Sequence, residues 1–137
     1  MLDISRAALN RAKARLGAEH GRVRWIEADV TADWQVPTVD IWHDRAVFHF
    51  LTRAADRARY LAHVRCGLRG GGTLIMATFG PDGPAKCSGL PVMRYSPDAL
   101  AAELGAEFRL QEAIPERHTT PSGTTQAFWY SRFTFEV

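Results

Sequence analysis

The sequence predicts an α/β fold in which a parallel sheet is followed by an antiparallel hairpin. Apolar stretches of strand length alternate with amphipathic helical stretches over most of the 137 residues. Two strand-like stretches then follow each other at the C-terminal end with no helix between them. The 46% of hydrophobic residues and 23% of charged residues are typical of one globular domain, so we expect residues 1–137 to form a single domain.

The first half of the chain predicts three short strands and one helix. Residues 1–5 resemble the end of a strand, and Ser5 is a helix N-cap whose side chain can accept a free backbone N–H. Gly17 is the expected end of that helix. A strand over 22–27 and a short buried strand over 39–42 follow, separated by a turn-rich stretch.

The second half continues the alternation and ends in the hairpin. Its predicted elements are a helix over 56–68 ended by three glycines at 70–72, a strand over 73–78, a loop over 79–95, a helix from Ser96-Pro97 to Leu104, and strands over 108–114 and 126–135. In the last strand, alternate residues share one face.

Composition excludes several functional classes. The 17 Lys and Arg against 15 Asp and Glu give a net charge of +2, too small and too evenly spread to predict nucleic-acid binding. Apolar runs fall far short of the ~20 residues of a membrane span, and no signal sequence opens the chain, so we expect a cytoplasmic protein. The two cysteines and five histidines show no metal-ligand spacing, so no metal site is predicted.

Three acidic residues follow successive predicted strands. They are Asp3, Asp29 and Asp44. Ligands of open α/β sheets bind at the carboxyl ends of the strands, and a carboxylate there can accept bonds from ribose hydroxyls or an adenine amino group. Each acid alone is better explained as a helix cap or a turn residue. Three at successive strand ends favour a nucleotide-like ligand.

Four stretches resemble sequential motifs of the class I S-adenosylmethionine-dependent methyltransferases. The stretches are Leu-Asp-Ile-Ser at 2–5, Glu-Ala-Asp-Val at 27–30, Asp-Ile-Trp-His-Asp-Arg-Ala-Val-Phe-His at 40–49 and Leu-Arg-Gly-Gly-Gly at 68–72. The terminal hairpin also matches that Rossmann-like fold. The stretch around Trp42, with His43 inserted, is similar to the thiopurine methyltransferase branch.

The resemblance implies an S-adenosylmethionine site. Asp3 would accept bonds from the ribose hydroxyls, and Ile4 would pack on the adenine face. Asp29 would take the adenine amino group, with Ala28 and the Val30 backbone N–H beside the ring. Asp44 would lie beside the methionine part of the cofactor.

The chain departs from the family pattern before Asp3. The family's first strand, its GxGxG loop and its first helix are not found there, and Gly70–Gly72 precedes a strand, whereas a cofactor cradle follows one. We expect an N-terminally truncated sheet with two open inner edges. Three explanations of this departure remain open. The chain is a truncated gene product, or a homodimer or element swap fills the gap, or the two halves repack into a fold with a damaged cofactor site.

Four residues are candidates for binding the methyl acceptor. Arg45 could clamp an anionic substrate, or form a salt bridge with Asp40 or Asp44. His49 could be a general base, or a core histidine bonded to backbone. Cys87, beside Lys86, could be reactive or an ordinary loop cysteine. Arg94 lies in the same loop.

The sequence thus predicts a methyltransferase that uses S-adenosylmethionine on a small molecule, with no catalytic residue assigned. A non-catalytic truncated remnant and a protein-lysine methyltransferase are the alternatives. No nucleic-acid or membrane partner is expected.

Overall fold

A computed structural model of the chain describes residues 1–136. These residues form two compact units, Met1–Gln35 and a second unit that begins at Val36. We predicted a single domain over residues 1–137, and this stays a prediction.

The first unit is a short parallel strand pair with one helix. Strand β1 (Leu2–Asp3) pairs in parallel with β2 (Ile26–Glu27). Helix α1 (Arg6–Leu16) begins where predicted, because the Ser5 hydroxyl accepts the Ala8 backbone N–H at 3.2 Å. It ends at Gly17, whose φ of 53° suits glycine.

The predicted strand over 22–27 is shorter in the structure. Residues Gly17–Arg22 form a 3-10 helix, and only Ile26–Glu27 pairs as a strand. Local bonds favour the helical turn. The Arg22 guanidinium bonds the Glu19 carboxylate at 2.7 Å, and the Trp25 indole N–H donates to the His20 carbonyl at 3.0 Å.

The second unit is built on a four-stranded mixed sheet, which confirms the predicted α/β class and its terminal hairpin. The strands stand in the order β3 (Val39–Arg45), β4 (Leu68–Phe79), β8 (Thr125–Phe135), β7 (Phe108–Thr119). Strands β3 and β4 are parallel, and β8 runs antiparallel to both β4 and β7. Helices α2 (Ala54–Gly67) and α3 (Pro97–Leu104) complete the unit.

Four further segments differ from the sequence expectation. The strand predicted over 39–42 continues to Arg45, and the strand predicted over 108–114 continues to Thr119. Helix α2 ends at Gly67, and the three glycines lie inside β4, where the pairing register shifts and Gly71 has a φ of 77°. The predicted loop over 79–95 contains a small hairpin of β5 (Lys86–Cys87) and β6 (Leu90–Pro91). Ser88 and Gly89 form its tight turn at positive φ.

The two faces of the four-stranded sheet differ. One face carries Trp42, Asp44, Leu74 and Met76 towards α2, and its core side chains are buried. The other, which we call the open face, leaves Ile41 60% and Ile114 53% exposed. Strand β3 stands at the edge of its sheet, so pairing of a second copy there stays a prediction.

Candidate functional site

In the first unit, two of the three strand-end acids meet as the sequence predicts. Strands β1 and β2 run in parallel, so Asp3 and Asp29 follow them at the same end. The Ala28 backbone N–H donates to the Asp3 carbonyl at 3.2 Å, which places the two acidic segments side by side.

Each of these carboxylates closes a turn with one oxygen. Oδ1 of Asp3 accepts the Ser5 N–H at 2.7 Å, and Oδ1 of Asp29 accepts the N–H of Thr31 at 2.8 Å and its hydroxyl at 2.7 Å. The Thr31 bonds hold the pKa of Asp29 below its ordinary value. Within residues 1–136, Oδ2 of each acid accepts no hydrogen bond, so the turn role and a ligand role are compatible.

An exposed apolar side chain follows the first of the two acids. Ile4 is 70% exposed directly after β1, while Ala28 and Val30 are half-buried. The carboxyl end of this strand pair therefore offers hydrogen-bond acceptors next to an apolar surface. The predicted contacts of Asp3, Ile4, Ala28, Asp29 and Val30 with a cofactor stay predictions.

The third acid, Asp44, is engaged inside its own unit. It is only 4% exposed, and its carboxylate accepts the Tyr60 hydroxyl at 2.6 Å and the backbone N–H groups of Val47 and Phe48 at 2.9 and 3.1 Å. Ala46 adopts a φ of 61°, which costs a non-glycine residue about 1 kcal/mol and turns the chain back towards the carboxylate. Asp44 thus fixes the turn after β3, and its contact with the methionine part stays a prediction.

Tyr60 joins Asp44 to the rest of the core. Its hydroxyl also accepts the indole N–H of Trp42 at 3.0 Å. Burial raises the pKa of Asp44, although the hydrogen bonds to its carboxylate act to lower it. The pKa of Tyr60 lies well above its ordinary value of 10.0, mainly because the hydroxyl is buried and also because Asp44 is negatively charged.

Arg45 has neither of the salt bridges that the sequence left open. The Asp40 carboxylate pairs with Arg69 at 2.8 Å, and that of Asp44 is filled from within its unit. The Nε of Arg45 instead donates to the Tyr130 hydroxyl at 3.0 Å on the open face.

His49 is a core histidine bonded to backbone, as one of its two interpretations expected. It is 0% exposed, and its Nδ1 accepts the Phe79 N–H at 3.3 Å. Burial lowers the pKa of His49 from 6.5 to about 4, so the ring is neutral at pH 7. Its Nε2 is buried without a hydrogen-bond partner. A role as general base stays a prediction.

His49 belongs to an aromatic cluster at the carboxyl end of β4. We define this aromatic cluster as His49, Phe79, Phe128 and Tyr130. The His49 and Phe128 ring centroids each lie 4.6 Å from that of Phe79, and Tyr130 lies 6.5 Å from Phe128. Half-buried Cys87 packs against this cluster from the β5–β6 hairpin.

Arg94 holds the loop before that hairpin. Its Nη1 donates to the carbonyls of Pro81 and Gly83 at 3.2 and 3.3 Å. Arg45, His49 and Cys87 therefore meet around one aromatic cluster, while Arg94 shapes the adjoining loop. Their contacts with a substrate stay predictions.

Sequence reasoning missed Tyr130 and the role of Tyr60. A signal for Tyr130 existed, because the alternation of β8 places it on the face opposite Trp129 and Ser131. Nothing in the sequence indicated that Tyr60 would bond Asp44, sixteen residues away.

Residues 1–136 contain no group of three or more His, Cys, Asp or Glu side chains that could hold a metal ion. None of the helices in that range is long and apolar enough to cross a membrane.

Solved structures of similar fold are S-adenosylmethionine-dependent methyltransferases. The N-methyltransferase NodS from Bradyrhizobium japonicum WM9 is 16% identical with a TM-score of 0.72, over 99% of this chain and 72% of that chain. A methyltransferase from Methanosarcina mazei is 12% identical with a TM-score of 0.71, over 99% and 81%. The Burkholderia thailandensis 1,6-didemethyltoxoflavin-N1-methyltransferase, solved with that molecule and S-adenosylhomocysteine, is 20% identical with a TM-score of 0.71, over 99% and 60%.

Because these sequence identities are 20% or lower, the structural similarity is evidence for the fold of the chain. The chain has the Rossmann-like fold of the class I S-adenosylmethionine-dependent methyltransferases, as its motifs predicted. It spans 60–81% of the lengths of these three structures. No protein-family model matches the sequence, and no curated protein matches it.

The Tyr60 hydroxyl should be a large contributor to stability. We expect Tyr60→Phe to lower the free energy of unfolding by about 3 kcal/mol, because it leaves a buried carboxylate and the Trp42 N–H each short of a bond. Tyr130→Phe, which removes a half-buried hydroxyl, should cost about 0.5 kcal/mol. Urea denaturation measures both, and equal losses in the two variants would contradict this role of Tyr60.

His49 should make stability depend on pH. Its folded pKa of about 4 lies below the ordinary 6.5, so the unfolded chain binds more protons between these values. The contribution of His49 is complete above pH 6.5 and is lost as the pH falls towards 4, by about 3 kcal/mol in total. The difference between wild type and His49→Gln in urea titrations across this range isolates the imidazole, because all other groups are common to both. If the free energies of unfolding of wild type and His49→Gln changed in parallel with pH, this contribution of His49 would be refuted.

Proposed function

We propose that the protein is an S-adenosylmethionine-dependent methyltransferase that acts on a small molecule. The observation that carries the proposal is the carboxyl end of the β1–β2 pair, where Asp3 and Asp29 each keep one oxygen without a hydrogen-bond partner beside exposed Ile4. The shared fold with cofactor-binding methyltransferases supports it.

The free oxygens suit the adenosine half of the cofactor. In the proposal, the Asp3 carboxylate accepts the ribose hydroxyls, and Asp29 accepts the adenine amino group. Ile4 covers one face of the ring, with Ala28 and Val30 at its edge. The bound cofactor supplies a methyl group on a positively charged sulfur.

The methyl acceptor is proposed to bind on the open face of the second unit. Arg45 and Cys87 border the aromatic cluster there, buried His49 packs within the cluster, and Arg94 fixes the adjoining loop. Methyl transfer depends mainly on placing the acceptor atom in line with the sulfonium, so a rigid apolar floor that excludes water is suited to it. Asp44 fixes the turn that presents Arg45. We also propose that Asp44 contacts the methionine part of the cofactor.

We place the chain nearest the thiopurine methyltransferase branch within this fold. The support is the stretch from Ile41 to Ala46, in which Trp42 and Asp44 share the Tyr60 hydroxyl. That branch favours a sulfur or another soft acceptor atom. Comparing methylation of an aromatic thiol, amine and phenol of the same skeleton tests this choice.

A non-catalytic remnant is the second candidate. It is favoured by the pairing of β1–β2 and of β3–β4 in two different sheets. Such a remnant would not bind the cofactor, so one titration separates it from an enzyme. A protein-lysine methyltransferase would bind the cofactor but methylate a peptide in preference to small acceptors.

Calorimetric titration with S-adenosylhomocysteine tests the proposed function. We expect measurable binding to the full chain, and Asp3→Asn should weaken it by at least about tenfold. Asparagine keeps the acceptor that closes the turn with Ser5 but removes the charge that strengthens the bonds to the ribose hydroxyls.

The matched control is Asp33→Asn, which changes an exposed acid away from the strand ends and should alter affinity by less than about twofold. No heat and no thermal shift at millimolar ligand would overturn cofactor binding by this chain. Unchanged affinity in Asp3→Asn would overturn the ribose role alone.

A further inference from the structure

Seven of the fifteen arginines have no carboxylate partner among residues 1–136, and Arg45 is the one of these seven whose guanidinium is bonded to a tyrosine hydroxyl. Eight other arginines pair with a carboxylate in residues 1–136: Arg6, Arg22, Arg53, Arg57, Arg65, Arg69, Arg109 and Arg132. In the same range Arg45 has no carboxylate within 4.0 Å, and its guanidinium makes one hydrogen bond, from Nε to the Tyr130 hydroxyl. Both terminal nitrogens are thus available to an outside acceptor.

Tyr130 fixes the direction of that guanidinium. Its hydroxyl accepts from Nε at 3.0 Å, which anchors the side of the guanidinium nearest the chain. Its own O–H hydrogen remains free to donate in the same neighbourhood. An anionic oxygen can therefore receive bonds from the guanidinium and from the phenol together, and charge-assisted bonds of this kind are the strong ones.

The surface next to this pair is apolar. Half-buried Tyr130, Cys87 and Val92 pack against the buried rings of Phe79 and Phe128. Ile114, which lies opposite Tyr130 in the strand register, is 53% exposed. An apolar surface that includes a partly exposed aromatic ring favours a flat apolar body over a hydrated one.

The remaining charges on this side do not cancel the positive charge of Arg45. Lys86 precedes Cys87, and Arg94 lies in the same loop. On the neighbouring strands, the Arg132–Glu112 pair at 3.4 Å is neutral as a whole. Glu116 lies opposite Phe128 in the register of β7 and β8, and it places one negative charge on the open face.

We propose that Arg45 and Tyr130 form an anion-binding subsite, and that the methyl acceptor is a flat, apolar small molecule carrying a carboxylate or similar anionic oxygen. Arg45 contacts the anion. Tyr130 is a positioning residue that also donates to it. This inference rests on the proposed function for its link to methyl transfer, but the binding it predicts can be measured without the cofactor.

The test compares three probes of the same shape on the full chain. Benzoate is anionic, benzyl alcohol is neutral and benzylamine is cationic. By NMR titration we expect benzoate to bind with a Kd of about 1 mM, and the other two to bind at least about tenfold more weakly. Equal binding of all three probes would overturn the proposal.

Two variants and a control locate the binding. Arg45→Gln should weaken benzoate by at least about tenfold, and Tyr130→Phe should reduce the preference for benzoate over benzyl alcohol by about threefold. Arg117→Gln removes the same charge from the opposite face of the hairpin and should change affinity by less than about twofold. Benzoate binding that is unchanged in Arg45→Gln, with the fold intact by NMR, would refute the subsite.

The two proposals fail separately. If wild-type chain binds S-adenosylhomocysteine but shows no preference for benzoate, the anion subsite is wrong and the cofactor proposal stands. If benzoate binds through Arg45 but the cofactor product does not bind, the subsite stands and its assignment to methyl transfer is wrong.

Discussion

The buried carboxylate of Asp44 is the interaction on which the second unit depends. It is desolvated at the end of a parallel strand, where an unpaired charge would cost several kcal/mol. The Tyr60 hydroxyl and two backbone N–H groups of the following turn compensate that cost. The same bonds fix β3, the Ala46 turn and helix α2 relative to one another. Because Asp44 is held inward, Arg45 is turned to the open face, where it meets Tyr130.

Acidic residues at strand ends thus have different tasks in this chain. Asp3 and Asp29 use one oxygen for a local turn and keep the other without a protein partner, which suits ligand binding. Asp44 uses its carboxylate within the protein. Position after a strand therefore identifies candidates for a site, and burial and the count of donors distinguish carboxylates with an unused oxygen from those already bonded within the protein.

The sequence predicted most of the fold and part of the site. Helix caps such as Ser5 and Ser96 act locally, so they located α1 and α3 correctly. The strand predicted over 22–27 was too long, because Arg22 belongs to a 3-10 helix and only Ile26–Glu27 pairs with β1. Long-range partners such as Tyr130 for Arg45 and Tyr60 for Asp44 were missed, since no local pattern encodes a contact set by sheet register and helix packing. The four motif-like stretches predicted the fold correctly, because their order along the chain follows the order of the strands.

The central claim is that the carboxyl end of β1–β2 binds the cofactor. A ¹⁵N-labelled sample titrated with S-adenosylhomocysteine tests it most directly, because backbone amides report contact residue by residue. We predict that the largest shifts fall on the amides of Ile4, Ala28, Asp29 and Val30, and that they saturate together. The absence of shifts at millimolar ligand, or shifts scattered away from these residues, would contradict it.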